Sequence, residues 1–169
     1  MSAKVLHINI SRGGLPKRPI LLGKLARNGF DGDSFAHPGI HGGPAQAVLL
    51  IAIETVESLI TLGFPVFPGA LGENLTTTGL DPKQWRSGQQ FHVGSTRIEL
   101  THPREPCRAL GVYRSSRTSH SIQNEIYSPG VKRGNTSADH WGRSGFYARV
   151  LQEGEIAPGD VIVMESQLA

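Results

Sequence analysis

The stretch "QQFHVGSTRIELTH" (Gln89–His102) predicts two β-strands that turn at Gly94 and Ser95. Three other stretches also predict strands: "KVLHINIS" (Lys4–Ser11), "AVLLIAI" (Ala47–Ile53) and "GFYARVLQEGEIAPGDVIVME" (Gly145–Glu165), the last with two of them. The 21 glycines and 11 prolines punctuate these short segments, and helical spacing follows in "IETVESLITLG", where Gly63 ends the helix. The pattern predicts a mainly β fold, a β-barrel with a few short helices, over an alternating α/β sheet.

Length and composition predict one cytoplasmic domain, residues 1–169. A single cysteine excludes an internal disulfide and is typical of a reducing compartment. The first residues, "MSAKVLHINIS", have no apolar core or cleavage site of a signal peptide. No apolar run approaches the roughly 20 residues of a membrane helix. We therefore expect no membrane partner.

The charge balance favours a small anionic ligand. Seventeen Lys and Arg against 14 Asp and Glu give a net charge of +3, and aromatic residues make up 7% of the chain. Nucleic-acid binding usually needs a basic stripe interleaved with stacking aromatics. We expect no nucleic-acid partner.

One long connection differs in character from the rest of the chain. The stretch from Arg114 to Gly145 is mostly polar, with a short predicted helix around Ser121–Tyr127. A connection of this length in a compact domain is either functional or partly disordered. Because it begins shortly after the cysteine, we predict that Arg114–Arg143 is a polar insertion that acts as a lid.

The only cysteine, Cys107, lies in "THPREPCRALG" (Thr101–Gly111). A free cysteine is usually a small buried apolar side chain. Here Pro103 and Pro106 indicate that the chain has left the sheet, and loops at strand ends are frequent functional positions. Arg104 and Arg108, together with His102, favour a thiolate. The pattern predicts a reactive or metal-ligating thiol.

Two glycine-rich turns are further candidates. In "HPGIHGGP" (His37–Pro44), Pro38 and Gly39 prevent the helix that would place two histidines on one zinc ion, and the chain lacks the G-x-S-x-G elbow of hydrolases. His41, Gly42 and Gly43 form either an anion-binding turn or a purely structural one. In "PGALGENL" (Pro68–Leu75), Asn74 offers an amide to a heterocycle and Glu73 offers a carboxylate to a cap or an arginine. Neither a Walker loop nor G-x-G-x-x-G is present.

Taken in order, the motifs "PKRPI", "GFDGDSFAHPGIHGGPAQAV", "PGALGENLTTTGL", "PREPC" and "GFYARVLQEGEIAPGDVI" resemble the MOSC domain, named after the C-terminal domain of molybdenum cofactor sulfurase. The resemblance spans about Lys4–Met164 and is to the small stand-alone bacterial members. It implies a β-barrel and a pterin-based molybdenum cofactor, molybdopterin. It also implies that Cys107 is the catalytic residue that ligates the metal or carries sulfur. The residues that it implies for cofactor binding are Arg104, Arg108, His41, Gly42, Gly43, Glu73 and Asn74.

The resemblance implies an oxidoreductase, because characterised relatives reduce N-hydroxylated purines and amidoximes. A separate flavin or iron–sulfur protein would deliver electrons, since one cysteine cannot hold an iron–sulfur cluster. Two alternatives remain open. Cys107 could carry a persulfide in a module that binds the cofactor without turnover, or it could act as a hydrolytic nucleophile with one of the seven histidines.

Overall fold

The structure is a computed structural model that describes residues 2–34 and 42–166. Its strands are β1 Lys4–Ile10, β2 Arg18–Ile20, β3 Gly23–Ala26, β4 Gly29–Phe30, β5 Val48–Ala52, β6 Leu75–Thr78, β7 Gln90–Val93, β8 Thr96–Pro103, β9 Phe146–Gln152, β10 Gly154–Ile156 and β11 Ile162–Met164. Its α-helices are α1 Ile53–Thr61, α2 Ile122–Ile126 and α3 Pro129–Lys132. Short 3-10 turns cover Pro44–Gln46, Pro82–Gln84 and Arg108–Val112. The predicted mainly β class with a few short helices is confirmed.

Eight strands form one large sheet in the order β11-β7-β8-β9-β5-β6-β1-β2. Only β5 and β6 run parallel among these pairs, because α1 connects them as a crossover. The chain just before β11 also meets β1: Lys4 and Val161 form an isolated bridge, and the Val5 amide donates to the Asp160 carbonyl at 2.9 Å. Residues 2–34 and 42–166 therefore do not form the continuous strand ladder of a closed barrel. This isolated bridge joins the two sides of the large sheet instead.

The predicted hairpin is confirmed. β7 and β8 pair antiparallel and turn at Gly94 and Ser95. Gly94 has φ +57, and a Cβ there would lie 2.4 Å from the Glu155 carbonyl oxygen. Only glycine therefore allows this close approach of the turn to β10.

The C-terminal region contains three strands where the sequence predicts two. After β9, strand β10 leaves the large sheet and pairs with β3 in a second sheet of order β10-β3-β4. The sequence pattern does not reveal this division, because β10 has only three residues.

The connection from Arg114 to Arg143 packs against both hydrophobic clusters of the protein. Ile122 and Ile126 are buried beside α1, while Val131 and Trp141 are buried in the main core. The Trp141 indole N–H also donates to the Trp85 carbonyl at 2.8 Å. These four side chains attach the connection to the domain. The lid role stays a prediction.

The helices of the described residues are all too short or too polar to cross a membrane.

Candidate functional site

A cavity of about 1170 Å³ opens beside the end of β8. The β1–β2 loop, the loop before β6, the loop after β8 and the region around α3 contribute most of its lining, and Ser34, Gln46, Leu49, the end of β8 and Tyr147 complete it. Its described lining residues include Leu15, Lys17, Gln46, Leu71, Asn74, His102, Arg104, Glu105, Cys107, Arg108, Tyr127, Val131, Lys132 and Tyr147. The predicted thiol and both flanking arginines thus lie around one space.

Cys107 is partly exposed to this cavity and immediately precedes the 3-10 turn Arg108–Val112. Its backbone carbonyl accepts a hydrogen bond from the Gln123 side-chain amide at 3.1 Å, so α2 supports the loop. No cluster of three or more His, Cys, Asp or Glu side chains suited to a metal ion occurs in the part of the chain that the structure describes. A metal bound here would need other ligands besides this thiol.

Arg104 fastens the cysteine loop to two other segments. Its Nε donates to the Ser144 carbonyl at 2.9 Å, and its Nη2 donates to the Leu71 carbonyl at 3.0 Å. The residue is only 4% exposed. Burial lowers the pKa of the guanidinium, while Tyr147, Cys107 and Glu73 act in the opposite direction. Arginine nevertheless stays protonated at neutral pH, so a fixed positive charge lies close to the thiol.

Glu73 lies behind this charge and is fully buried. Its Oε1 accepts from the Gly69 amide at 2.7 Å and from the Thr76 hydroxyl at 3.1 Å, whereas its Oε2 has no hydrogen-bond partner. Burial raises the pKa of the carboxyl, although Arg104 and the hydrogen bonds oppose the shift. Glu73 is not among the described residues that line the cavity, and its hydrogen bonds are to protein groups.

Asn74 lines the cavity, but its amide group is engaged by the protein. Its Nδ2 donates to the Asn9 carbonyl at 3.2 Å and to Asp33 Oδ2 at 2.8 Å, and its Oδ1 accepts from the Leu49 amide at 3.1 Å. Asp33 also binds Lys17 Nζ at 2.6 Å. Asn74 therefore positions a buried Lys17–Asp33 pair at the cavity wall.

The remaining predicted residues are more scattered. Arg108 lines the cavity and is exposed, in contrast to the buried Arg104. Gly42 and Gly43 have φ values of +92 and +86 and precede Gln46, which lines the cavity. Neither glycine is among the described lining residues. His37 and His41 lie outside the described residues.

Gln46, His102 and Tyr147 form a polar group in which sequence reasoning gave a role to His102 alone, as a residue that favours the thiolate. The Gln46 side-chain nitrogen lies 3.3 Å from His102 Nε2, and the His102 and Tyr147 ring centroids are 5.2 Å apart. Burial lowers the pKa of His102 and raises that of Tyr147. The signal for Tyr147 was its place in the "GFYARV" motif, which the sequence analysis used as a strand and as part of the family resemblance without giving Tyr147 a role.

The fold and the site define a mainly β protein with one cysteine in a ligand-sized cavity. The family model for the MOSC domain matches residues 37–163. The chain belongs to the MOSC domain family, and the resemblance inferred from its motifs is confirmed.

Two curated relatives support this assignment. The uncharacterized protein YflK of Bacillus subtilis is 32% identical over 148 residues, which are 86% of this chain and 60% of YflK. YiiM of Escherichia coli is 33% identical over 97 residues, which are 53% of this chain and 42% of YiiM. This chain thus spans less than two thirds of either relative.

Solved structures share the fold. YiiM from Geobacillus stearothermophilus superposes with a TM-score of 0.68 at 24% identity, over 98% of this chain and 76% of that one. The YuaD protein from Bacillus subtilis has a TM-score of 0.68 at 20% identity, over 99% of this chain and 98% of that one. Because both identities are below 25%, the similarity to these structures shows a shared fold.

Proposed function

We propose that the cavity binds a pterin molybdenum cofactor, with Cys107 as the protein ligand to the metal, and that the loaded protein reduces N-hydroxylated substrates. The observation that carries the proposal is a partly exposed thiol at a cavity of about 1170 Å³, in a chain of the MOSC domain family. N-hydroxylated purines and amidoximes are the proposed substrate classes.

The donor set fits this cofactor. Cys107 supplies a soft thiolate ligand, and the described residues around it form no group of three or more His, Cys, Asp and Glu side chains for a free metal ion. A pterin that brings two dithiolene sulfurs of its own needs only one such ligand. Arg104 and the Lys17–Asp33 pair lie around the same cavity and can bind the anionic and polar parts of the cofactor. When bound, the cofactor supplies two-electron redox chemistry at molybdenum.

The chain's own groups orient the substrate and supply protons. Reduction of R–NHOH breaks the N–O bond, consumes two electrons and two protons, and yields R–NH2 and water. The electrons come from a separate flavin or iron–sulfur protein. Burial raises the pKa of the Tyr147 hydroxyl, so it stays protonated at neutral pH and can donate a hydrogen bond to the departing oxygen. His102 lies against the Tyr147 ring and fixes its position.

A thiol hydrolase finds no support among the described residues, which do not include His37 and His41. Such an enzyme needs a histidine within hydrogen-bond reach of the thiol. The ring of His102 instead contacts Gln46, and among residues 2–34 and 42–166 no histidine hydrogen-bonds to Cys107. The persulfide carrier remains the alternative to be tested.

The test is elemental analysis and pterin fluorescence on protein from a molybdate-fed host, followed by a reductase assay. We expect about one molybdenum and one pterin per chain, with reduction of N-hydroxylaminopurine by a chemical reductant such as reduced viologen. Protein with cyanide-labile sulfur but neither molybdenum nor pterin would support the persulfide carrier instead. If protein loaded with cofactor leaves N-hydroxylated compounds unchanged, the proposed reductase activity is contradicted, whereas the proposed cofactor binding still holds.

A further inference from the structure

The outer part of the cavity has two exposed basic side chains, Arg108 and Lys132. Arg108 follows Cys107 directly and makes no ion pair with any described residue. Lys132 Nζ lies 3.1 Å from Glu105 Oε1, and the two side chains are 65% and 60% exposed. Exposed pairs of this kind contribute little to stability, so Lys132 can exchange Glu105 for a better anion.

The proposed function assigns the two buried basic residues, Lys17 and Arg104, to the cofactor, and both also bind protein groups. Lys17 is paired with Asp33, and Arg104 donates to two backbone carbonyls. A second anion entering the cavity therefore meets available positive charge at the exposed side chains of Arg108 and Lys132.

The described residues that line the cavity include four basic side chains and one acidic one: Lys17, Arg104, Arg108 and Lys132 against Glu105. Residues 104–143 contain seven Lys and Arg against three Asp and Glu, whereas the rest of the chain contains ten against eleven. Such an asymmetry attracts anionic ligands and raises their association rate. Tyr127 and Val131 also line the cavity.

The cavity is large for a small-molecule site. Its volume of about 1170 Å³ exceeds the roughly 300–1,000 Å³ of pockets that hold one small molecule. A cofactor that reaches Cys107 need not fill this volume, and Tyr127, Arg108 and Lys132 line the same cavity.

We propose that Arg108 and Lys132 bind a phosphate carried by the substrate, so that the preferred substrate is an N-hydroxylated nucleoside monophosphate and not the free base. The guanidinium can bind two phosphate oxygens at once, and the ammonium adds a point charge. The N-hydroxyl part of this inference rests on the proposed function, whereas the phosphate part does not. The proposal also gives Arg108 a contact with the substrate, whereas the family resemblance of the sequence implies a contact with the cofactor.

The first experiment needs no cofactor. Isothermal titration of the apoprotein should show adenosine 5′-monophosphate binding at least about tenfold more tightly than adenosine, an advantage that shrinks as salt rises. Arg108→Gln and Lys132→Gln should each remove most of that advantage. Arg133→Gln is the matched control, because it removes the same charge from the neighbouring exposed residue, which is not among the described lining residues.

Three outcomes would overturn the phosphate site. Equal affinity for the nucleotide and the nucleoside shows that the phosphate gains nothing. Unchanged nucleotide binding in Arg108→Gln and Lys132→Gln places the phosphate deeper in the cavity. An equal loss of nucleotide affinity in Arg133→Gln shows that the net positive charge of this region, and not a phosphate site, favours the nucleotide.

The second experiment uses protein loaded with cofactor. The KM for N-hydroxylated adenosine monophosphate should be at least about tenfold lower than for the free N-hydroxylated base, and Lys132→Gln should raise only the former. Loss of pterin in Arg108→Gln but not in Lys132→Gln would overturn the assignment of Arg108 to the substrate. If neither compound is reduced, the proposed function fails, and the phosphate site is judged by the apoprotein titration alone.

Discussion

Replacing Arg104 by Met should strongly destabilise the protein, because this guanidinium joins three segments of the site. Methionine keeps a long apolar stem but removes the donors to the Ser144 and Leu71 carbonyls, at 2.9 and 3.0 Å. A hydrogen bond from a charged donor contributes about 1.5–3 kcal/mol. Two such bonds at a residue that is 4% exposed give an expected loss of about 3–6 kcal/mol.

Guanidinium chloride denaturation at neutral pH, on protein without cofactor, measures this loss. Arg108→Met is the matched control: the residue is four positions away and exposed, and it has no hydrogen bond or ion pair among the described residues. It should change the free energy of unfolding by no more than about 0.5 kcal/mol. A loss below about 1 kcal/mol in Arg104→Met, or equal losses in both variants, would refute the role given to Arg104.

Three further results are expected. Burial raises the pKa of the Glu73 carboxyl, so the free energy of unfolding of the wild type falls as the pH rises above about 4.5 toward the folded-state pKa. Glu73→Gln should therefore become increasingly stable relative to the wild type over that pH range. Denaturant midpoints at several pH values measure the difference, and a pH-independent difference would count against the burial argument. Gly142→Ala should lower the free energy of unfolding by more than about 2 kcal/mol, because at φ +75 its Cβ would lie 2.2 Å from the Pro82 carbonyl oxygen. Gly134→Ala is the control: Gly134 has φ +76 but nothing within 4 Å of an added Cβ, so the loss should be only about 1 kcal/mol. Comparable melting temperatures of the two variants would disprove the steric argument. The pKa of His102, measured by NMR titration, should lie below the usual 6.5 because burial disfavours the imidazolium, and a value above 6.5 would contradict the described environment.

The larger elements of the fold follow from local sequence, and the smallest do not. The hairpin of β7 and β8 and the helix α1 have clear periodicity and glycine stops at Gly94 and Gly63. Strands β2 to β4 have two to four residues each, which is too short for a pattern to accumulate. Their pairing with β1 and β10 determines them, and that pairing is a tertiary property.

The site follows the same division. Proline and arginine around Cys107 indicate a functional loop, and the structure places this loop at the cavity. The sequence cannot show that Arg104 is buried while Arg108 is exposed, since both flank the same thiol. Nor can it show that the amide of Asn74 is committed to Asp33, because the two residues are 41 positions apart.

The most direct test of the account is X-ray absorption at the molybdenum edge on wild type and Cys107→Ser, both purified from a molybdate-fed host. Serine preserves the size of the side chain and stays largely protonated, so the variant should bind the pterin with little change in melting temperature. We expect three sulfur neighbours around molybdenum in the wild type, two from the pterin and one from Cys107. We expect two in the variant, with loss of N-hydroxyl reduction. The same number of sulfur neighbours in both proteins would contradict the assignment of Cys107 as the ligand.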